Sequence, residues 1–381
     1  MNTHFLLIGD ASGRRLNGFV ECFKKLGTSS YQVITWQEYF DDFLVFSRKL
    51  RENTIVRLEP PEKDMEIYRA ILKLGEVDNR LSNAEIDDID FSQFPIIAPG
   101  QWYAGFTKLI TDIAQTCSVH ADKKILMMQD HCEALAMMDK RQTYDRLAAK
   151  AKEYSYYLPA KLEAPLRVKE FREMYGGQVL KCFIKLRYGS GGTGILAYKN
   201  NPRLNEETLW TSLKVEIRGG KKFFYSGRKI AFITDKAKIG ELIEWVLANG
   251  AHIETWIPKA AYQGTHFDTR VLVAAKTPQY FITRLSKTPI TNLHLGNQRR
   301  NSSEVFTAGQ LAVLSQAAAD VMKVFNKSLY AGIDIVCSPG YKPYVIDVNP
   351  FGDLFHNLLG TEANVYYYEI KAALEKMREI Q

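Results

Sequence analysis

The sequence predicts an α/β protein that opens as a parallel sheet and continues as α+β, in two or three domains. Three observations carry this. Apolar strands and amphipathic helices alternate with short connections through the first third of the chain, the pattern of a parallel sheet flanked by helices. A run of glycines sits between two strand-patterned segments near Gly189, and strand patterns dominate the last third. The 381 residues exceed what one small core organises.

HFLLIGD reads as the first buried strand and LNGFVECFKKLG as an amphipathic helix stopped by Gly27. The strands YQVITW and NTIVRL follow, then the helix MEIYRAILKLG, stopped by Gly75. NAEIDDIDFSQFP and APGQW read as surface connections. A second unit starts near KKILMMQDHCEALAMMDKRQTYDRLAAKA, a strand leading into helices, with Met127, Met128, Met137 and Met138 expected in the core. VLKCFIKLRY and ILAYKN form a hairpin by pattern, followed by the helix IGELIEWVLANG. AHIETWIP opens a third region with the strands TRVLVAAK, YFITRLS, AGIDIV and YVIDVN, closed by the helix EANVYYYEIKAALEKMREI. The expected domains are therefore residues 1–125, 126–253 and 254–381.

Composition narrows the class. Apolar residues make up 46% and charged residues 24%, so the chain is globular. No apolar run approaches the roughly 20 residues that span a bilayer, and MNTHFLLIGDASGRR lacks the basic start and cleavage site of a signal peptide. Cys22, Cys117, Cys132, Cys182 and Cys337 are scattered, odd in number and without a CxxC pair, which points to a reducing cytoplasm rather than a disulfide framework. The seven histidines form no HExxH. A net charge of +7 is spread among acids, so no nucleic-acid surface is expected; Arg299 to Asn301 is the densest basic spot.

Two constellations can carry chemistry. In VLKCFIKLRYGSGGTG, strand alternation puts Lys181, Lys185 and Arg187 on one face, directly before Gly189, Gly191, Gly192 and Gly194. Glycines let a backbone approach a ligand and aim N–H groups at phosphate oxygens, but a structural hairpin accounts for the same run. In GIDIVCSPGYKPYVIDVNP, Asp347 and Asn349 project from one strand face while Ile346 and Val348 point into the core. Pairing in which residue numbers sum to 681 would set Asp334 directly opposite Asp347; a sum of 679 would set it diagonally, on the same face. Two carboxylates and an amide oxygen on one surface suit Mg²⁺; solvent-facing polar positions are the alternative. Arg270 and Arg284, embedded in apolar strands, each need an anionic partner, either a carboxylate such as Asp268 or a ligand.

In this order, these pieces resemble the ATP-grasp superfamily, specifically its carboxylate–amine ligases, from about Asp139 to about Gly360. They are similar to the ribosomal-protein glutamate ligase and the carrier-protein ligases of lysine biosynthesis; TRLSKTPITNLHLGNQRR and VRLEPPEKD also resemble a bacterial ATP-grasp subfamily. The resemblance implies an ATP-grasp fold behind an N-terminal parallel α/β (pre-ATP-grasp) domain. It implies ATP contacts from Lys140, Lys185, a lid of Gly189, Ser190, Gly191, Gly192, Thr193 and Gly194, and a hinge of Glu254, Thr255, Trp256 and Ile257. Arg270, Arg284 and Asn292 would act on the reacting groups, and Asp334, Asp347 and Asn349 would hold Mg²⁺, as two ions, with Mn²⁺ as a substitute. Asp347 departs from the glutamate many relatives carry, and Leu295 to Asn297 departs from a glycine pair. The implied activity activates a carboxylate as an acyl phosphate and joins it to an amine. The alternatives are a kinase on the same scaffold and a non-catalytic nucleotide-binding regulator. The partner would be a small molecule, a peptide or a carrier protein, with no nucleic acid and no membrane, in a chain that could form homo-oligomers. Arg57, in IVRLEPPEKD, and His294 are polar residues that could face the acceptor, with a satisfied structural role as the reading favoured for each.

Overall fold

The computed structural model describes residues 3–27, 30–61, 64–75, 81–91, 93–291, 298–352 and 365–380. The first sheet contains β1 (His4–Gly9), β2 (Ser30–Thr35), β3 (Thr54–Leu58) and β4 (Leu126–Met127), all parallel in the order β2-β1-β3-β4. Phe5, Leu6, Leu7 and Ile8 are all fully buried, because helices cover both faces. The helix Arg14–Leu26 ends at Gly27, whose φ of 63° lets its N–H reach the Phe23 carbonyl.

Two sequence expectations fail here for local reasons. YQVITW stops being a strand at Thr35, which caps the helix Trp36–Asp41 in a reciprocal capping box with Glu38. APGQW is no loop either: Pro99 occupies the first turn of a 21-residue helix, Pro99–Val119. That helix crosses Met65–Leu74 at backbone contact. A Cβ on Gly75 would lie 2.0 Å from the Gln101 carbonyl oxygen, and one on Gly105 would lie 1.8 Å from that of Ile71. Gly75 thus ends one helix and also permits the crossing.

The second sheet is antiparallel, with β5 (Lys161–Leu162), β6 (Leu180–Leu186), β7 (Ile195–Asn201), β8 (Glu206–Arg218), β9 (Lys221–Ile233) and β10 (Ala251–Thr255) in the order β5-β10-β6-β7-β8-β9. The glycine run joins β6 to β7, as expected. β8 and β9 form a second, longer hairpin around Gly219 and Gly220 (φ 54° and 76°), a two-residue turn of the kind paired glycines favour. Helices Val168–Tyr175 and Lys236–Ala248 pack on Cys182, Ile184 and Leu186. AHIETW begins as β10 of this sheet, with Glu254 opposite Phe183.

The chain then crosses to the third sheet, made of β11 (Ala261–Tyr262), β12 (Thr265–Ala274), β13 (Thr277–Ser286), β14 (Gln298–Asn301), β15 (Tyr330–Cys337) and β16 (Pro343–Asn349). Its order is β14-β13-β12-β15-β16, antiparallel, with β11 paired to β12. Helix Ala308–Val324 covers its buried face through Leu314, Ala317, Ala318 and Val321. The last helix, Tyr366–Ile380, packs against Arg14–Leu26 and the first sheet. Met128 and Met137 are buried and Met127 and Met138 partly so, each against a core cluster. No described helix is long and apolar enough to cross a membrane.

Candidate active site

The second and third sheets face each other across a cleft of about 790 Å³. From the second sheet come Phe183, Lys185, Gly191, Gly192 and Ile195; from the third come Arg270, Arg284, Asp334, Val336, Ile346, Asp347 and Asn349. The end of β10 adds Glu254 and Thr255, the crossing segment beyond it supplies Ile257 and Lys259, and Lys140 closes the base. The apolar side chains Phe183, Ile195, Val336 and Ile346 come from opposed sheets, a geometry suited to a flat aromatic ring.

The charged row on the third sheet follows from its register. Asp268 lies opposite Arg284, Arg270 opposite Asp334, and Asp334 opposite Asp347, the pairing that sums to 681. A bulge beyond Asp334 pairs Ile335 with Val345 and leaves Ile346 as the extra residue. The expectation that Ile346 points into the core is therefore corrected: Val345 and Val348 are in the core cluster, and Ile346 lines the cleft.

Ion pairs hold the row. Arg270 grips Asp334 through Nε at 2.5 Å and Nη2 at 3.0 Å. Arg284 grips Asp268 at 2.6 and 2.7 Å and donates to Asp334 at 2.8 Å. Burial pushes the Asp334 carboxyl up, but Arg270 and Arg284 outweigh it and hold it down at about 2. Asp347 Oδ1 accepts from Lys140 Nζ at 3.1 Å, and Asn349 Nδ2 donates to the Gly332 carbonyl at 3.3 Å, leaving its amide oxygen for another partner.

Lys185 Nζ pairs with Glu254 and donates to the Ile346 carbonyl at 3.2 Å, tying the second sheet to β16. Burial raises the Glu254 carboxyl, yet Lys185 and His252 (3.2 Å) bring it below its ordinary value. Asp139 caps the helix Lys140–Ala148 and takes a bidentate pair from Arg187 at 2.8 and 2.6 Å, fixing Lys140 beside the base of the glycine turn. In the glycine turn, Gly194 (φ 65°) lies where a Cβ would fall 2.4 Å from Leu186 Cδ1, so the turn requires glycine. Gly191 (φ 60°) has nothing within 4 Å of its Cβ direction and is open towards the cleft.

Of the residues singled out in sequence, the cleft collects Lys140, Lys185, Gly191, Gly192, Glu254, Thr255, Ile257, Arg270, Arg284, Asp334, Asp347 and Asn349. Gly189, Ser190, Thr193 and Gly194 shape the turn between β6 and β7, with Thr193 N–H donating to the Ser190 carbonyl at 2.9 Å. Trp256 packs on Phe183 (5.2 Å between ring centroids). Asn292, His294 and Leu295 to Asn297 lie outside the described residues. Arg57 is structural: fully buried, it is paired with Glu59 and Glu369 at 2.6 Å each and stacked over Phe19. Lys259 escaped the sequence reading, because one lysine in a Pro-Lys-Ala connection carries no pattern.

A donor set of Asp334, Asp347 and Asn349 is all oxygen, the chemistry Mg²⁺ prefers, and no histidine or cysteine lines the cleft among the described residues. Arginine and lysine now occupy the carboxylates. The residues fit a divalent ion that would share Asp334 with Arg270 and Arg284, and Asp347 with Lys140.

Two opposed antiparallel sheets gripping a cleft, behind a small parallel α/β unit, make this the ATP-grasp fold. The structure matches D-cycloserine synthetase DcsG over 98% of this chain and 99% of that one (TM-score 0.55, 14% identity). D-alanine–D-alanine ligase from Bacillus anthracis matches over 100% of both chains (0.54, 12%), and the ATP-grasp ligase PsnB, complexed with a phosphomimetic precursor variant, Mg and ADP, over 99% of both (0.56, 12%). No protein-family model and no curated protein matches the sequence.

Proposed function

We propose that this protein is an ATP-dependent ligase that activates a carboxylate as an acyl phosphate and joins it to an amine. The observation that carries the reading is the placement of Asp334 opposite Asp347, in one cleft with Lys140, Lys185 and the glycine turn. Similarity to ATP-grasp ligases in fold, and the Mg and ADP held by PsnB, support it.

In this reading the adenine lies between Phe183 and Ile346, against Glu254 to Ile257. Lys140 and Lys185 neutralise the phosphates, and the turn at Gly191 and Gly192 covers them with backbone N–H groups and keeps water out. Divalent ions at Asp334, Asp347 and Asn349, two in number and replaceable by Mn²⁺, would add charge neutralisation to the triphosphate. Lys140 and Lys185 exchange Asp347 and Glu254 for phosphate oxygens, so the ligand-free ion pairs pre-position the cations. Arg270 and Arg284 orient the acid, whose carboxylate attacks the γ-phosphorus; ADP leaves, and the amine then displaces phosphate from the acyl carbon. Preorganised charge in a closed cleft is what such a transfer needs.

The acid or amine is a small molecule, a peptide or a carrier-protein terminus. The domains are residues 1–125, 126–253 and 254–381, with Glu254 and Thr255 at the junction. An ADP-release screen of acids and amines, with hydroxylamine as trap, tests the activity. A hydroxamate formed from ATP and an acid supports the ligase; ADP release giving a phosphorylated hydroxyl and no hydroxamate identifies a kinase instead.

A further inference from the structure

Among the described residues, four of the five cations lining the cleft face a carboxylate: Lys140 faces Asp347, Lys185 Glu254, Arg270 Asp334, and Arg284 Asp268. Lys259 is the exception. It lies on the crossing segment between β10 and β11, and its Nζ donates to the Pro289 carbonyl at 2.9 Å and to Thr291 Oγ1 at 3.2 Å. Both acceptors are neutral. Thr291 in turn donates to Asp268, the carboxylate that holds Arg284. One hydrogen-bonded chain therefore sets Lys259 beside Arg284.

The surroundings leave this ammonium short of counter-charge. Burial lowers it, Arg284 from β13 and Lys185 from β6 lower it further, and Asp268 from β12 and Asp334 from β15 only partly offset them, so it titrates at about 8. A cation placed in a cleft against neutral acceptors is stabilised when an anion arrives. The nucleotide's own phosphates have Lys140, Lys185 and the lid.

We propose that Lys259, with Arg284, forms a subsite for the reacting oxyanion, either the carboxylate of the acid substrate or the phosphoryl group it receives. This rests on the ligase reading. Thr291 and Pro289 hold the ammonium in place, and the incoming oxyanion becomes its charged partner. Lys259 would thus contribute to binding of the acid rather than of ATP.

The test titrates inorganic phosphate and, separately, acetate into the complex of the full-length protein with MgADP. Lys259→Met should weaken one or both about tenfold, the loss of one charge-assisted contact, while MgADP affinity stays within about twofold. Lys259→Arg should restore binding, and the probe that responds identifies the source of the oxyanion. In wild type, affinity for that probe should fall as pH rises through about 8, and this readout stands if Lys259→Met fails to fold. Oxyanion affinity unchanged in Lys259→Met, equal loss of MgADP, or a flat wild-type pH profile would overturn the proposal. Wild-type protein that binds no MgADP overturns the ligase reading and this proposal with it. Unchanged oxyanion affinity on an intact MgADP complex overturns this proposal alone.

Discussion

Lys185 pairs with Glu254 across neighbouring strands, and both side chains are almost wholly buried. A buried charge pair held this way is costly to break from one side only, since the partner is left unpaired. Under the proposed function, a nucleotide would exchange partners with the protein here, rather than meet a bare cation waiting in an apolar cleft.

Lys185→Met should weaken ATP binding at least about tenfold, roughly 1.4 kcal/mol or more. It should also destabilise the fold, because Glu254 loses its counter-charge. Adding Glu254→Gln should recover much of the melting temperature without recovering ATP affinity. Calorimetric titration of both variants separates the two effects, and wild-type ATP affinity in the single variant would remove Lys185 from the nucleotide site.

Asp347→Asn should reduce turnover by roughly a hundredfold or more while changing nucleotide affinity much less, since the metal-dependent charge neutralisation acts mainly on the transfer step. Chelation should abolish ADP release, and Mn²⁺ should restore it. Turnover by Asp347→Asn at the wild-type rate would show that the β16 carboxylate holds no ion.

Arg284 has a structural partner in Asp268 and, under the proposed function, a chemical one in the acid substrate. Its removal leaves Asp268 buried without its main counter-charge, at a cost of about 3–5 kcal/mol. The double variant Arg284→Met with Asp268→Asn should recover much of that stability. In that folded background, ATP should still bind but substrate-dependent ADP release should stop. Normal kinetics there would make the arginine purely structural.

Stability should also depend on pH through Glu369. Burial raises its carboxyl to about 7, with Arg57 opposing the shift. The folded state then holds a proton that the unfolded chain has already lost between about pH 4.5 and 7, so this contribution to stability is greatest below that window and falls as pH rises through it. The swing is on the order of 3 kcal/mol. Asp334, held at about 2, acts in the opposite sense and only at lower pH. Denaturant midpoints of Glu369→Gln, subtracted from wild type across pH 4.5 to 7, should isolate the slope. Parallel profiles would mean that Glu369 stays charged.

Much of this was legible in sequence where a local rule governs. That Asp334 and Asp347 share one face could be anticipated because both lie in short apolar strands joined by a Pro-Gly turn, while the choice between two registers stayed open; β6 and β7 were visible from alternation around glycines. What escaped depends on tertiary neighbours. The bulge that turns Ile346 into the cleft leaves no mark on alternation alone. Helix Pro99–Val119 was concealed because its proline and glycine mimic a turn, although Pro99 starts the helix and Gly105 meets Ile71. β8 and β9 carry a signal in two glycines between alternating segments. Lys259 had none, since its meaning comes from Pro289 and Thr291, about 30 residues away in sequence.

A crystal structure grown with a non-hydrolysable ATP analogue and Mn²⁺ tests the central claim most directly. Anomalous density for Mn²⁺ should appear between Asp334, Asp347 and Asn349, bridging a triphosphate that lies beneath residues 189–194 and touches Lys140 and Lys185. A nucleotide bound elsewhere, or Mn²⁺ density absent from that carboxylate pair, would contradict the account.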